Sequence, residues 1–160
     1  MDATSKAEPE GKRTTVERRS DCELVVTRWF DAPARLVFQA WADPELFRRW
    51  WVPRSLGMEL HDCEMDVRTG GTYRLNFGPG MDFHGRYLEV VAAERIVWTN
   101  EEGGGDGSVT TVTFEERDGR TLLTMRELFP SKEAFEAGAG ATDAVDETFA
   151  QLDEVLGALG

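Results

Sequence analysis

The sequence is poor in the residues that staple, ligate or span. It has two cysteines, Cys22 and Cys63, and two histidines, His61 and His84; two cysteines are too few for a disulfide framework, and the four residues do not have the spacing of a closed zinc site. No run comes near the roughly 18 consecutive apolar residues that cross a bilayer. Nothing at the amino terminus joins a basic cap to an apolar stretch and a small-residue cleavage site. A soluble protein in a reducing cytoplasm is the expectation. Positive charge is also scarce: 18 Lys and Arg stand against 30 Asp and Glu, a formal net charge of −12. Within residues 1–22, Asp2, Glu8, Glu10, Glu17 and Asp21 are balanced by Lys6, Lys12, Arg13, Arg18 and Arg19, so the excess belongs to the rest of the chain. Such a surface repels phosphate backbones and anionic headgroups, and neither nucleic acid nor a membrane is expected as a partner.

Catalytic motifs are missing as well. There is no Gly-x-Ser-x-Gly elbow, no paired-histidine motif and no Cys/His constellation, so covalent catalysis has no evident nucleophile. His61 and Cys63 share a strand face, but no further ligand arrives at a diagnostic spacing; neither a metal nor a cofactor is expected. The glycine run at 103–107 joins two strands rather than a strand and a helix and has no Lys partner, which makes it a hairpin loop and not a phosphate cradle.

What is present is one domain's worth of patterned sequence. At 160 residues a chain buries roughly two thirds of its unfolded surface. Residues 1–22 are almost free of apolar side chains and read as a mobile tail, leaving 23–160 as a single domain. Glu23–Phe30 has strand composition. Asp31-Ala-Pro33 stops it and opens a short helix bearing Leu36, Val37, Ala40 and Trp41; Asp43-Pro-Glu45 opens a second bearing Leu46, Phe47, Trp50 and Trp51. Six further segments of strand composition follow: Met58–Arg68, Thr72–Phe77, Met81–Val91, Arg95–Glu101, Ser108–Glu116 and Thr121–Leu128. Glycine-rich turns separate them, including Asp118-Gly119. After a helical piece at Ser131–Ala137, the period changes: Val145, Phe149, Leu152, Leu156 and Leu159 form the stripe of an amphipathic helix about five turns long. The expected fold is α+β, with a seven-stranded curved antiparallel sheet around a long C-terminal helix and two short helices after the first strand. A space between sheet and helix must be filled by side chains or by a ligand.

Several segments together resemble a known family. Arg28-Trp-Phe-Asp-Ala-Pro33, Val37-Phe-Gln-Ala-Trp41, Asp43-Pro-Glu45, Trp50-Trp51, Asp66-Val-Arg-Thr-Gly-Gly71, Gly85-Arg-Tyr-Leu-Glu-Val90 and Glu94-Arg-Ile-Val-Trp-Thr99 resemble, in order, the START-like helix-grip (SRPBCC) superfamily. The branch is the one named after the C-terminal domain of the heat-shock-protein-90 ATPase activator. The resemblance implies the pollen-allergen-type helix-grip fold and binding of a lipid, sterol, polyketide or aromatic metabolite. It also leaves open a cyclase or hydratase activity through a pocket acid or tyrosine, such as Glu89 or Tyr87, and a protein-interaction or chaperone-regulating role. The chain departs from the family where the last helix often opens with Gly-Trp: here the residues are Glu147-Thr148-Phe149.

The candidate ligand-binding residues are Trp51, Tyr73, Leu75, Phe77, Phe83, Tyr87, Trp98, Met125, Phe149 and Leu152, each alternatively an ordinary core residue. One member of Trp50-Trp51 is expected to line the opening, with Trp41 nearby, because adjacent helical residues cannot both face the core. Arg28 and Glu89 are polar ligand contacts if they point inward and surface charges if they point outward. Asp66 and Arg68, two apart before the Gly70-Gly71 turn, are expected to form a structural ion pair.

Overall fold

The computed structural model describes residues 14–52, 54–57, 60–78, 82–101, 108–138 and 145–159. Among the described residues, eight strands form one antiparallel sheet: β1 (Thr15–Arg18), β2 (Glu23–Phe30), β3 (Asp62–Met65), β4 (Thr72–Asn76), β5 (Asp82–Val91), β6 (Arg95–Thr99), β7 (Val109–Arg117) and β8 (Arg120–Leu128). Their spatial order is β1-β2-β8-β7-β6-β5-β4-β3. The last strand therefore lies beside the second, with Glu23 opposite Leu128 and Phe30 opposite Thr121. Helices α1 (Ala34–Ala42) and α2 (Pro44–Trp50) follow β2; α3 (Lys132–Gly138) and α4 (Val145–Leu159) follow β8.

The expectation of an α+β helix-grip fold holds, with one strand more than seven. The extra strand is β1, which pairs with β2 from Thr15 opposite Thr27 to Arg18 opposite Leu24. All four of its side chains are exposed, so it carries no apolar signal; backbone pairing, with the Arg18 guanidinium 4.3 Å from the Phe135 ring centre, holds it where a tail was expected. The remainder of that expected tail, residues 1–13, lies outside the described residues. So do the glycine run at 103–107 and the link at 139–144.

Local chemistry explains the short helices. The Asp43 backbone N–H donates to Gln39 O at 2.9 Å and ends α1, while its carboxylate accepts from Glu45 N at 2.9 Å and caps α2, with Pro44 at the first helical position. One face of α1 buries Ala34, Val37, Ala40 and Trp41, a spacing of three, three and one that brings the indole over the sheet. In the β7–β8 turn Asp118 and Gly119 both have positive φ, 55° and 79°, the backbone that makes Asp-Gly a hairpin dipeptide.

Helix α4 buries Thr148, Phe149, Gln151, Leu152, Val155 and Leu156. Its expected stripe therefore holds from Val145, half-buried and packed against the core, to Leu156, and fails at Leu159, which is 36% exposed. Phe149 meets Phe30 edge-on at 5.7 Å and Trp50 at 6.5 Å, so that the space between this helix and β2 is filled by rings.

Candidate functional site

Between the sheet and the two short helices lies a cavity of about 470 Å³, within the roughly 300–1,000 Å³ of small-molecule sites. Its floor comes from the far half of the sheet: Met65 from β3, Tyr73 and Leu75 from β4, Tyr87 from β5, Ile96 and Trp98 from β6, with Phe77, Phe83 and Asn100 at the strand ends. Its roof is Trp41 of α1, Phe47 of α2 and the following Trp51 and Val52. Eight of these thirteen residues are aromatic and none carries a charge. The roof is a ring cluster, with Trp41 4.7 Å from Trp50 and 5.8 Å from Trp98, and Phe47 stacked on Trp51 at 4.8 Å.

Two local features fix the floor. Tyr73 stands opposite Gly85, where a Cβ would lie 1.9 Å from Thr99 O and 2.8 Å from Tyr73 Cε2; only glycine leaves that space to the ring. The Tyr73 hydroxyl donates to Thr99 O at 2.7 Å and lies 3.1 Å from Asn100 Oδ1. Asn100 Nδ2 in turn donates to Ser108 Oγ at 2.8 Å. The Asp66–Gly71 turn holds Tyr87 from both sides of its peptide, Gly70 N donating to Tyr87 O and Tyr87 N to Gly71 O, each at 2.9 Å. The expected ion pair shapes that turn, with Arg68 Nε 2.9 Å from Asp66 Oδ2. Tyr87 is 5% exposed, and burial pushes its phenol well above the ordinary value, with smaller upward contributions from Cys63 and Asp66. At neutral pH it is a hydrogen-bond donor, not a base.

The roof hangs from α4 by polar contacts. Gln151, 2% exposed, donates through Nε2 to Trp50 O at 3.0 Å and Val52 O at 2.9 Å, and its Oε1 accepts from Arg54 N at 2.9 Å. Glu147 accepts from the backbone N–H and the hydroxyl of Ser55, and Arg54 Nη2 meets Glu154 at 2.9 Å. These contacts hold both glutamates below the usual carboxylate range, Ser55 acting on Glu147 and Arg54 on Glu154.

Comparison with known proteins decides the family. The model of the activator of Hsp90 ATPase homolog 1-like proteins matches residues 31–157. The chain belongs to this family. A Rhodobacter sphaeroides protein of known structure is 23% identical with a TM-score of 0.80, over 92% of this chain and 100% of its own. One from Mycobacterium smegmatis is 25% identical with a TM-score of 0.76, over 92% and 100%. One from Staphylococcus epidermidis is 26% identical with a TM-score of 0.69, over 91% and 95%. No curated protein matches the chain.

In this activator-like chain the cavity collects seven of the ten residues chosen from sequence: Trp51, Tyr73, Leu75, Phe77, Phe83, Tyr87 and Trp98. Of the tryptophan pair, Trp51 lines the cavity and Trp50 is fully buried, its Nε1 donating to Ala40 O at 3.0 Å. Met125, Phe149 and Leu152 are not on the wall. Met125 packs at the core's edge opposite Val26 and Val112, and Phe149 and Leu152 are core residues of α4. No residue of α4 lines the cavity, which corrects the expected position between sheet and C-terminal helix: the walls are the sheet and the two short helices.

Neither charged candidate reaches the cavity. Arg28 is inward and 5% exposed, but its Nη2 is 2.8 Å from Asp153 Oδ2 of α4. Glu89 is surface-lying and 3.1 Å from Arg95 Nε, so it cannot serve as the acid of a cavity reaction. Phe47, Val52, Met65, Ile96 and Asn100 were missed. Period-two spacing marks Ile96 and Asn100 with Trp98, the helical step of four marks Phe47 with Trp51, and Met65 is the register partner of Tyr73. Among the described residues no three of His, Cys, Asp and Glu form a metal-binding group. No helix among them is long and apolar enough to cross a membrane.

Proposed function

We propose that this protein binds a hydrophobic small molecule in the cavity roofed by α1 and α2. The observation that carries this reading is a space of about 470 Å³ whose thirteen wall residues include eight aromatics and no charge. Closed cores are packed to crystal-like density, with few voids larger than a water, and a space of this size lined by rings would otherwise be costly to keep. The family's breadth toward apolar ligands supports the same reading. Extraction of the purified protein and mass spectrometry should return an apolar compound, and adding an apolar naphthalene probe to stripped protein should shift the amide signals of Tyr73, Tyr87 and Trp98. Shifts confined to the outer faces of β1 and β2, with no compound extracted, would overturn it.

The family description names activation of the Hsp90 ATPase, and a chaperone-regulating role is the second reading. A rise in Hsp90 ATPase turnover on adding this protein supports it, and an unchanged rate removes it.

A further inference from the structure

Few side chains of the cavity wall carry polar atoms. Asn100, which could offer an acceptor, is committed: its Oδ1 lies 3.1 Å from the Tyr73 hydroxyl and its Nδ2 donates to Ser108 Oγ at 2.8 Å. The Tyr73 hydroxyl is committed to Thr99 O at 2.7 Å. What is left without a partner are two N–H groups and one hydroxyl, three donors of which the hydroxyl alone can also accept. The Tyr87 hydroxyl and the Trp98 indole N–H, on residues 5% and 9% exposed, meet no acceptor among the described residues. The indole Nε1 of Trp41, on the roof, is buried and likewise has no acceptor among them. Of the three only the Trp41 nitrogen is itself sealed from solvent; the donors of Tyr87 and Trp98, on residues that line the cavity, are open to a bound group that accepts from them in place of water.

We infer that the ligand is neutral and carries a hydrogen-bond acceptor, a carbonyl or ether-type oxygen, on a flat apolar frame, with Tyr87 and Trp98 as its donors. This deepens the small-molecule reading and rests on it. A hydrocarbon would leave the donors as they are. A carboxylate would satisfy them, but it would enter a wall without a cation, on a chain of net charge −12, at a large desolvation cost. A quaternary ammonium would gain from the ring faces but would leave the N–H groups unmatched.

Four probes of similar size separate these cases: methyl naphthyl ketone, isopropylnaphthalene, naphthoate and a naphthyl trimethylammonium salt. Binding is followed by isotope-resolved spectra of the five indole N–H groups. The ketone should bind about two- to tenfold more tightly than the hydrocarbon, the worth of one net hydrogen bond. It should also move the indole signal of Trp98 downfield, while that of Trp50, already bonded to Ala40 O, stays in place. Tyr87→Phe should narrow the ratio of ketone to hydrocarbon affinity; the indole shifts in the unaltered protein provide the same test without any substitution. Equal affinity for ketone and hydrocarbon, or tighter binding of the anion or the cation, overturns the acceptor inference while leaving the cavity reading intact. Failure of all four probes to bind overturns both.

Discussion

One buried amide makes three of the hydrogen bonds that fasten the roof of the cavity to α4, and replacing it by an isosteric acid tests their worth. Gln151 makes three hydrogen bonds to backbone groups of residues 50–54: two donated by Nε2 and one accepted by Oε1. In Gln151→Glu the shape is kept and the acceptance from Arg54 N survives, but the two donations become an oxygen facing two carbonyl oxygens. Losing both donations and leaving buried carbonyls unmatched costs about 3 kcal/mol, which for a chain of this length lowers Tm by roughly 6–12 °C. The penalty must depend on pH. The ionised form is both buried and opposed by carbonyls, so the introduced carboxyl has a folded pKa raised above its unfolded value of about 4.3. A group raised in this way costs least below the unfolded pKa, where the protonated acid donates once, and its penalty grows as pH rises through the folded pKa. Urea unfolding of the variant and the parent at several pH values gives the difference directly, because the parent has no titrating group at this position. A deficit under about 1 kcal/mol at pH 7, or one that does not shrink on acidification, refutes the reasoning.

Three further outcomes follow from other contacts. Arg28→Met removes the guanidinium that meets Asp153, itself 19% exposed, at 2.8 Å; it should cost about 3–5 kcal/mol in urea unfolding, and adding Asp153→Leu should recover much of the loss, whereas additive costs would contradict a coupled pair. Gly85→Ala places a Cβ 1.9 Å from Thr99 O and 2.8 Å from the Tyr73 ring, so β5 must shift from β6 at a cost of about 1–3 kcal/mol or more; an unchanged Tm would show that the floor gives way freely. Burial pushes the Cys63 thiol up to about 11, so at pH 8 roughly one part in a thousand is thiolate; peptide mass spectrometry should find Cys63 alkylated slowly by iodoacetamide in the folded protein and rapidly in urea, and fast labelling without denaturant would contradict the burial.

Periodicity made most of this fold legible, and side-chain reach made the rest hard to read. Tyr73 and Leu75 alternate with exposed Thr72 and Arg74, so the buried face of β4 follows from spacing alone, and its register partners Gly85 and Phe83 on β5 follow once the hairpin is recognised. Strand β1 was invisible because its side chains are all exposed: an edge strand held by backbone bonds leaves no hydrophobic pattern. Arg28 was ambiguous for a different reason. Strand parity places it on the inward face with Phe30, but only the tertiary arrangement supplies Asp153 from a residue 125 positions away, and without that partner a buried guanidinium is the less reasonable guess.

The misplaced cavity comes down to the same limit. The sequence marks α4 as apolar and the sheet as curved, and both statements hold, yet neither says whether the gap between them is filled. Phe149 decides it: at 1% exposure, with its ring against Phe30 and Trp50, it occupies the space beneath the helix, while Leu152 beside it is fully buried. Past this plug the wall passes from α4 to the rings of α1, α2 and the Trp51–Val52 segment. The helix still governs the cavity through its polar side, because Gln151, Glu147 and Glu154 hold the segment that carries Trp51 and Val52. A helix that its apolar stripe casts as the lid is thus the support to which the lid is fastened, and the residues to alter when probing access are its polar side chains, buried Gln151 among them, rather than its apolar stripe.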